Sequence, residues 1–140
     1  MATTLLTNGC IVDPPLPIGG ISIKTIFTDS SYNDITGDTL NSTIKYLIDS
    51  VSYRIESPHV NKPNTKPTKS YWGRYNVYQT EAISTQNMSD NETILIIYSL
   101  NEISEDTVTI ILKDRNSVSY FNKDKQITST IGDDILPIKR

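Results

Sequence analysis

Residues 93–100 read TILIIYSL and residues 107–113 read TVTIILK, and these two segments determine the predicted fold of the 140-residue chain. In the first segment, apolar side chains occupy both faces of an extended chain, which is typical of a central strand. In the second, Val108, Ile110 and Leu112 occur at every second position, the period of a strand with one buried face. The two segments predict neighbouring antiparallel strands joined by a short polar turn.

Further strands are predicted on both sides of this pair. Alternating apolar and polar residues between polar turns predict strands at about residues 21–28, 71–83, 117–121 and 126–131. The composition agrees, because the chain has 20 isoleucines and only two alanines, and β-branched residues favour strands over helices.

One segment has the spacing of a helix instead. The apolar residues on one face of its 3.6-residue period are Leu40, Ile44, Leu47, Ile48 and Val51. This spacing predicts a helix over about residues 39–52. Asparagine, serine and threonine in its interior are poor helix formers, so only burial against a sheet could stabilise it. The predicted fold class is α+β: an antiparallel β-sheet or small β-sandwich of about six strands, with one packed α-helix and extended termini.

The chain length favours one domain with additions at both ends. Residues 1–20 contain three closely spaced prolines and predict an extended N-terminal arm. Residues 21–132 form the predicted α+β domain, and residues 57–70, with three prolines and three lysines, predict a long exposed loop within it. A linker between two domains is the alternative for this segment, but the preceding residues have too few elements to bury the helix. Residues 133–140 form a C-terminal tail.

Charge and apolar patterning argue against several classes of function. With 13 basic and 16 acidic residues the formal charge is −3, which disfavours a nucleic-acid-binding module. The longest apolar run, residues 94–98, is far shorter than the roughly 20 residues of a membrane-spanning helix, so no membrane insertion is expected. No basic residue precedes Lys24, and no signal peptide is predicted.

Residues with catalytic or metal-binding chemistry are few in the sequence. His59 is the single histidine and Cys10 the single cysteine, which excludes disulfides within the chain and clusters of these ligands around a metal. We expect no catalytic residue, metal site or cofactor. The adjacent carboxylates at 105–106 and 133–134 leave a small hydrolase as one remaining alternative.

One aromatic segment, residues 71–78, reads YWGRYNVY. In a continuous strand, Trp72, Arg74, Asn76 and Tyr78 would share one face while the opposite face packs on the core. Aromatic rings beside a guanidinium suit a protein partner, a glycan or a base. Packing within the core and at a sheet edge is the alternative.

The predicted interface residues lie in the two terminal segments: Ile11, Val12, Leu16, Ile18, Ile135, Leu136 and Ile138. Together with open sheet edges, they predict a non-enzymatic structural or assembly subunit, since a solitary protein would cover such groups. Its expected partners are other copies of itself and neighbouring structural proteins. Isoleucine, asparagine and lysine have AT-rich codons and alanine has GC-rich ones, so the composition indicates an AT-rich genome. Such a genome favours a virion component such as a phage head, connector or tail protein, with the cytoplasm as the other location. A glycan- or host-protein-binding module that uses the aromatic face is the alternative function.

Overall fold

The computed structural model of the protein describes residues 20–36, 48–86, 88–114, 117–128, 130–132 and 134–140. These residues form two β-sheets. The strands are β1 (Lys24–Thr28), β2 (Val51–Glu56), β3 (Asn61–Thr65), β4 (Thr68–Trp72), β5 (Tyr75–Gln79), β6 (Thr93–Leu100), β7 (Ser104–Asp114), β8 (Ser117–Asn122), β9 (Lys125–Gln126) and β10 (Ile135–Lys139). The four-stranded sheet has the order β10-β1-β5-β4, and the six-stranded sheet has the order β3-β2-β6-β7-β8-β9. Strands β1 and β10 pair in parallel, and the other strand pairings are antiparallel.

The two sheets pack face to face over one apolar core. Phe27 on β1 contacts Tyr98 on β6, with ring centroids 5.2 Å apart. Phe27 also contacts Tyr78 on β5, with centroids 5.9 Å apart. The hydroxyl groups of Thr25 and Tyr98 are hydrogen bonded at 2.8 Å, so a buried polar contact also joins the sheets. This core holds most of the buried apolar side chains of the described residues.

A second, smaller apolar cluster lies on the other face of the four-stranded sheet. It consists of Ile26, Val77 and Ile135, with Tyr75 and Ile131 packed against it. Neighbouring residues in a strand point to opposite faces, so this cluster faces away from the six-stranded sheet. The four-stranded sheet therefore has apolar side chains on both faces.

The central strand predicted at residues 93–100 is confirmed, because β6 has these bounds and lies between β2 and β7. The packed helix predicted over residues 39–52 is wrong, and so is the α+β class. Ile48 forms a bridge with Thr36, and the chain continues as β2 from Val51. Residues 37–47 lie outside the described residues. No described residue is helical, and within these ranges no helix long and apolar enough to cross a bilayer occurs.

The physical reason for the helix error lies at its C-terminal end, where Val51 begins an alternation with Tyr53 and Ile55 that has the period of a strand. Tyr53 and Ile55, at alternate positions of β2, are buried against the core. Val51 pairs with Leu100 of β6, so the hydrogen-bonding groups of this backbone are satisfied by the neighbouring strand. Pairing with β6 therefore makes residues 51 and 52 of the predicted helix part of a strand.

The prediction of a long loop over residues 57–70 is also wrong. Most residues there are exposed, but the segment contains β3 and the first part of β4. Proline removes a hydrogen-bond donor, which is tolerated in an edge strand. Pro63 lies in β3, at the edge of the six-stranded sheet.

The C-terminal tail predicted at residues 133–140 belongs to the fold. Strand β10 pairs with β1 in a register that places Leu136 beside Thr25 and Ile138 beside Phe27. Pro137 lies in this strand, at the outer edge of the four-stranded sheet. The sequence pattern had suggested an extended segment correctly, but its partner is the chain itself.

Candidate functional site

The aromatic segment at residues 71–78 is a β-hairpin. Trp72 at the end of β4 pairs with Tyr75 at the start of β5, so Gly73 and Arg74 form a two-residue turn. The φ angle of Gly73 is 59°, and Arg74 has no positive φ, the pattern of a type II′ turn, which prefers glycine first. The continuous strand predicted over 71–83 is therefore wrong.

This turn rearranges the predicted aromatic face. Trp72 and Tyr75 lie on the same face of the hairpin and stack with centroids 6.0 Å apart and an angle of 20°. Tyr78 is buried in the main core and Asn76 is half-buried, while Trp72 and Arg74 are exposed near the hairpin tip. The structure therefore brings Trp72 near Arg74 but does not place all four predicted residues on one accessible face. The Gly-X pair between aromatic residues was the sequence signal for this hairpin.

A turn that the sequence analysis treated only as a loop lies next to the hairpin. The Asp29 carboxylate accepts hydrogen bonds from the backbone N–H groups of Ser31 at 2.8 Å and Asn33 at 2.9 Å. Donation from the backbone and side chain of Asn33 holds the pKa of Asp29 below its ordinary value. Tyr32, between these residues, has a φ of 63°, and its carbonyl accepts a 2.6 Å hydrogen bond from the Tyr75 hydroxyl.

Asp34 attaches this turn to β5. Its Oδ1 accepts hydrogen bonds from the backbone N–H of Thr36 at 2.8 Å and the Thr36 hydroxyl at 2.7 Å. Its Oδ2 accepts from the backbone N–H of Asn76 at 2.7 Å and from the Asn76 side chain at 3.3 Å. Asn76 therefore positions the turn, which differs from the ligand-facing role that the sequence predicted.

A cleft of about 310 Å³ lies between the turn and the hairpin, and we call it the hairpin cleft. Its lining residues are Ser31, Tyr32, Asn33, Asp34, Arg74 and Tyr75. This volume is at the lower end of the roughly 300–1,000 Å³ of small-molecule sites. In the described part of the chain, the Arg74 guanidinium has no ion pair.

Lys139 adds positive charge beside the hairpin cleft. Its Nζ lies 4.2 Å from the centroid of the Tyr32 ring. A hydrogen bond with Lys139 and its positive charge lower the pKa of the Tyr32 hydroxyl. The Tyr32 side chain nevertheless remains accessible, with 52% of the residue exposed.

Strand β4 forms a second candidate surface. It is the outer strand of the four-stranded sheet, and each of its five residues is exposed. Tyr71 is 72% exposed and Trp72 is 40% exposed. Lys69 Nζ lies 5.7 Å from the centroid of the Tyr71 ring, so a charge and an aromatic ring share one face of this edge.

The predicted interface residues of the tail are not available to a neighbour. Ile135, Leu136 and Ile138 are buried in the protein's own core, which corrects the prediction that they lie on other subunits. The arm residues at 11, 12, 16 and 18, which are Ile11, Val12, Leu16 and Ile18, lie outside the described residues.

Two of the candidate residues for hydrolytic chemistry, Glu105 and Asp106, take part in ion pairs, and His59 contacts a carboxylate. Glu105 contacts Arg54 at 2.8 Å. Asp106 contacts Arg140 at 3.0 Å. His59 contacts Glu92 at 3.0 Å, and a hydrogen bond with His59 is the largest cause that lowers the Glu92 pKa. Among the residues that the structure describes, no three potential metal ligands form a group, and Asp133 lies outside them.

No protein-family model, curated protein sequence or solved structure matches this chain.

Proposed function

We propose that this chain is a non-enzymatic assembly subunit whose copies pair edge to edge through β4. The observation that carries the proposal is the exposure of this strand along its whole length. An edge strand has one row of backbone N–H and C=O groups directed away from its sheet, which can pair with a strand of another chain. The exposed aromatic residues Tyr71 and Trp72 would add apolar contact area to such a pair.

The other described sheet edges carry features that hinder pairing. Strand β3 contains Pro63 and β10 contains Pro137, and proline removes a backbone donor. Strand β9 has only two residues. Strand β4 has neither feature, so it is the described edge best suited to accept another strand.

The sequence of β4 also suits pairing with a second copy of itself. In an antiparallel pair centred on Ser70, Lys69 of each copy lies opposite Tyr71 of the other. This arrangement separates the two lysines and places each ammonium near a ring, a favourable cation–π geometry. Thr68 then lies opposite Trp72. The pair obeys the two-fold symmetry that is common among homodimers.

The expected affinity is modest. Each backbone hydrogen bond contributes only about 0.5–1.5 kcal/mol net, and five residues provide few of them. A dissociation constant on the order of 0.1 mM is consistent with a few such bonds and two partly buried rings. Larger assemblies would need further contacts, and avidity would then strengthen them. The virion setting is supported only by composition and stays a prediction.

The proposal is tested by analytical ultracentrifugation of the full chain between about 10 µM and 1 mM, a range that spans the expected affinity. We expect a reversible monomer–dimer equilibrium. Tyr71→Lys should abolish it, because two pairs of lysine side chains then face each other across the interface. Adding Lys69→Glu to Tyr71→Lys should restore it, because each lysine then faces a glutamate.

Ile103→Lys is the matched control, since it adds the same charge at an 87% exposed residue outside β4. It should leave the equilibrium unchanged. A wild-type chain that stays monomeric throughout this range would overturn the proposal. So would unaltered dimers of the Tyr71→Lys variant or failure of the double variant to dimerise.

A further inference from the structure

The hairpin cleft has a cationic group that is available to an anion. Arg74 is exposed at the tip of the β4–β5 hairpin and lines the cleft. None of the ion pairs among the described residues includes its guanidinium. A guanidinium presents a planar fork of N–H donors that matches the two oxygens of a carboxylate.

The aromatic wall of the cleft is held in position before any ligand arrives. Tyr32 has a left-handed backbone conformation, which is uncommon for a residue with a side chain and concentrates at functional sites. The Asp29 turn, the hydroxyl of Tyr75 and the ammonium of Lys139 each hold it by a separate contact. The first two contacts fix the backbone of Tyr32 and the third holds its ring, so this residue loses less conformational freedom on binding.

The two carboxylates at the cleft, those of Asp29 and Asp34, are bound by donors of the protein itself. Both oxygens of Asp34 accept hydrogen bonds from Thr36 or Asn76. Asp29 is likewise engaged by the backbone of its own turn. Because these carboxylate oxygens are already engaged, Arg74 is the charged side chain lining the cleft that has no ion pair among the described residues.

Neutral polar groups complete the cleft. Asn33 donates through Nδ2 to Asp29, and its Oδ1 is directed to no described partner. Ser31, also exposed, supplies a hydroxyl that can donate or accept. Such groups beside aromatic rings match a ligand with several hydroxyls and an apolar ring face.

We infer that the hairpin cleft binds a carboxylate-bearing pyranose, such as a uronic acid residue of a glycan. Arg74 pairs with the carboxylate, Tyr32 contacts the sugar ring, and Asn33 and Ser31 bond the hydroxyls. A single-stranded nucleic acid would instead need a row of basic residues along a groove, and the chain has a net charge of −3. The inference is independent of pairing through β4.

Trp72 offers a direct reporter of binding. It is the single tryptophan of the chain and stacks on Tyr75, which lines the cleft. Titration of the full chain with methyl β-D-glucuronoside should change the tryptophan emission saturably. Methyl β-D-glucoside, which lacks the carboxylate, should bind at least tenfold more weakly.

Variants of one residue test the assigned contact. Arg74→Gln should weaken glucuronoside binding at least tenfold without lowering the melting temperature, because Arg74 is exposed. Arg74→Lys keeps the charge but loses the planar fork, so it should retain only part of the affinity. Arg54→Gln is the matched control, because it removes a guanidinium from the six-stranded sheet, and it should bind as the wild type does.

Several results would overturn the inference. These are the absence of saturable binding, equal affinity for the two glycosides, or unchanged affinity in Arg74→Gln. Binding of inorganic phosphate as tight as that of the glucuronoside would assign the cleft to anions in general and overturn the sugar assignment. The Tyr71→Lys variant should bind the glucuronoside normally, so failure of the assembly proposal is distinguishable from failure of this one.

Discussion

The Nε atom of Arg140 lies 3.0 Å from Oδ2 of Asp106, whose side chain is only 3% exposed. The backbone N–H of Arg140 also donates a 2.8 Å hydrogen bond to the carbonyl of Thr28. Thr28 belongs to β1 in the four-stranded sheet, and Asp106 belongs to β7 in the six-stranded sheet. Arg140 therefore joins the two sheets, because its backbone bonds to β1 and its side chain lies against the buried Asp106 carboxylate of β7.

We expect Arg140→Ala to lower the free energy of unfolding by about 2–3 kcal/mol, because it leaves the Asp106 carboxylate buried without its cation. The measurement is urea denaturation monitored by circular dichroism. Arg54→Ala is the control, because its partners are exposed and such pairs contribute about 0–1 kcal/mol. Equal losses in the two variants would contradict this role of Arg140.

The buried hydrogen bond between Thr25 and Tyr98 predicts a non-additive pair of substitutions. Tyr98→Phe and Thr25→Val should each cost about 1–3 kcal/mol, because each leaves one buried hydroxyl without its partner. The double variant should cost less than the sum, since both polar groups are then replaced. Denaturation of the four proteins measures the coupling. Simple additivity would show that the contact does not link the sheets energetically, and the exposed Tyr71→Phe should change nothing.

Gly132 and Gly73 allow a test of the packing of Trp72. Both have positive φ angles, 58° and 59°, so alanine strains the backbone at either position. A Cβ on Gly132 would lie 2.6 Å from Trp72 Nε1, whereas a Cβ on Gly73 meets no atom within 4 Å. We expect Gly132→Ala to displace the indole and shift its emission to longer wavelength. Gly73→Ala should lose stability without that shift, and identical spectra would contradict the predicted contact.

Two tyrosines of the main core, Tyr98 fully buried and Tyr120 partly buried, predict a loss of stability at alkaline pH. Burial, with a smaller effect of the Asp134 charge, raises the pKa of Tyr120 to about 12, and burial also raises the pKa of Tyr98. Both phenols therefore stay protonated in the folded chain after the unfolded chain begins to ionise near pH 10. The contribution of these protonated phenols to the free energy of unfolding is complete below about pH 10 and is lost as the pH rises toward 12.

This behaviour is measured by tyrosinate absorbance at 295 nm together with thermal unfolding from pH 8 to 12. Tyr120→Phe should lose less stability over that interval than the wild type loses. Ionisation of all eight tyrosines as one group near pH 10 in the folded protein would contradict the prediction.

The strands of the six-stranded sheet were the part of the fold most accessible to sequence reasoning. Residues 93–100 and 107–113 carry long apolar segments bounded by polar turns, and only a buried strand pair satisfies both their side chains and their backbone. Val51 was ambiguous because it fits both the helical spacing of the residues before it and the strand alternation with Tyr53 and Ile55 after it. Pairing of β2 with β6 decided between them, and that pairing joins residues 39 to 49 positions apart.

In the candidate site too, residue types were predictable from the sequence, whereas their arrangement depended on distant contacts. Trp72 and Arg74 were recognised by residue type, but Gly73 reversed the chain direction and moved Tyr78 into the core. Tyr32 was missed because its importance depends on Tyr75 and Lys139, which are distant in sequence.

By itself, the sequence determined the strand-rich character, the main turns and the apolar nature of the C-terminal segment, because these depend on local propensity and on the period of nearby side chains. Only the tertiary structure decided which segments became partners: β10 lies beside β1, Arg140 meets Asp106, and the turn at Tyr32 meets the β4–β5 hairpin. The reason is that hydrogen bonding between strands and burial of side chains are satisfied by any complementary surface. Which segment of the chain supplies that surface is decided only when the whole core packs.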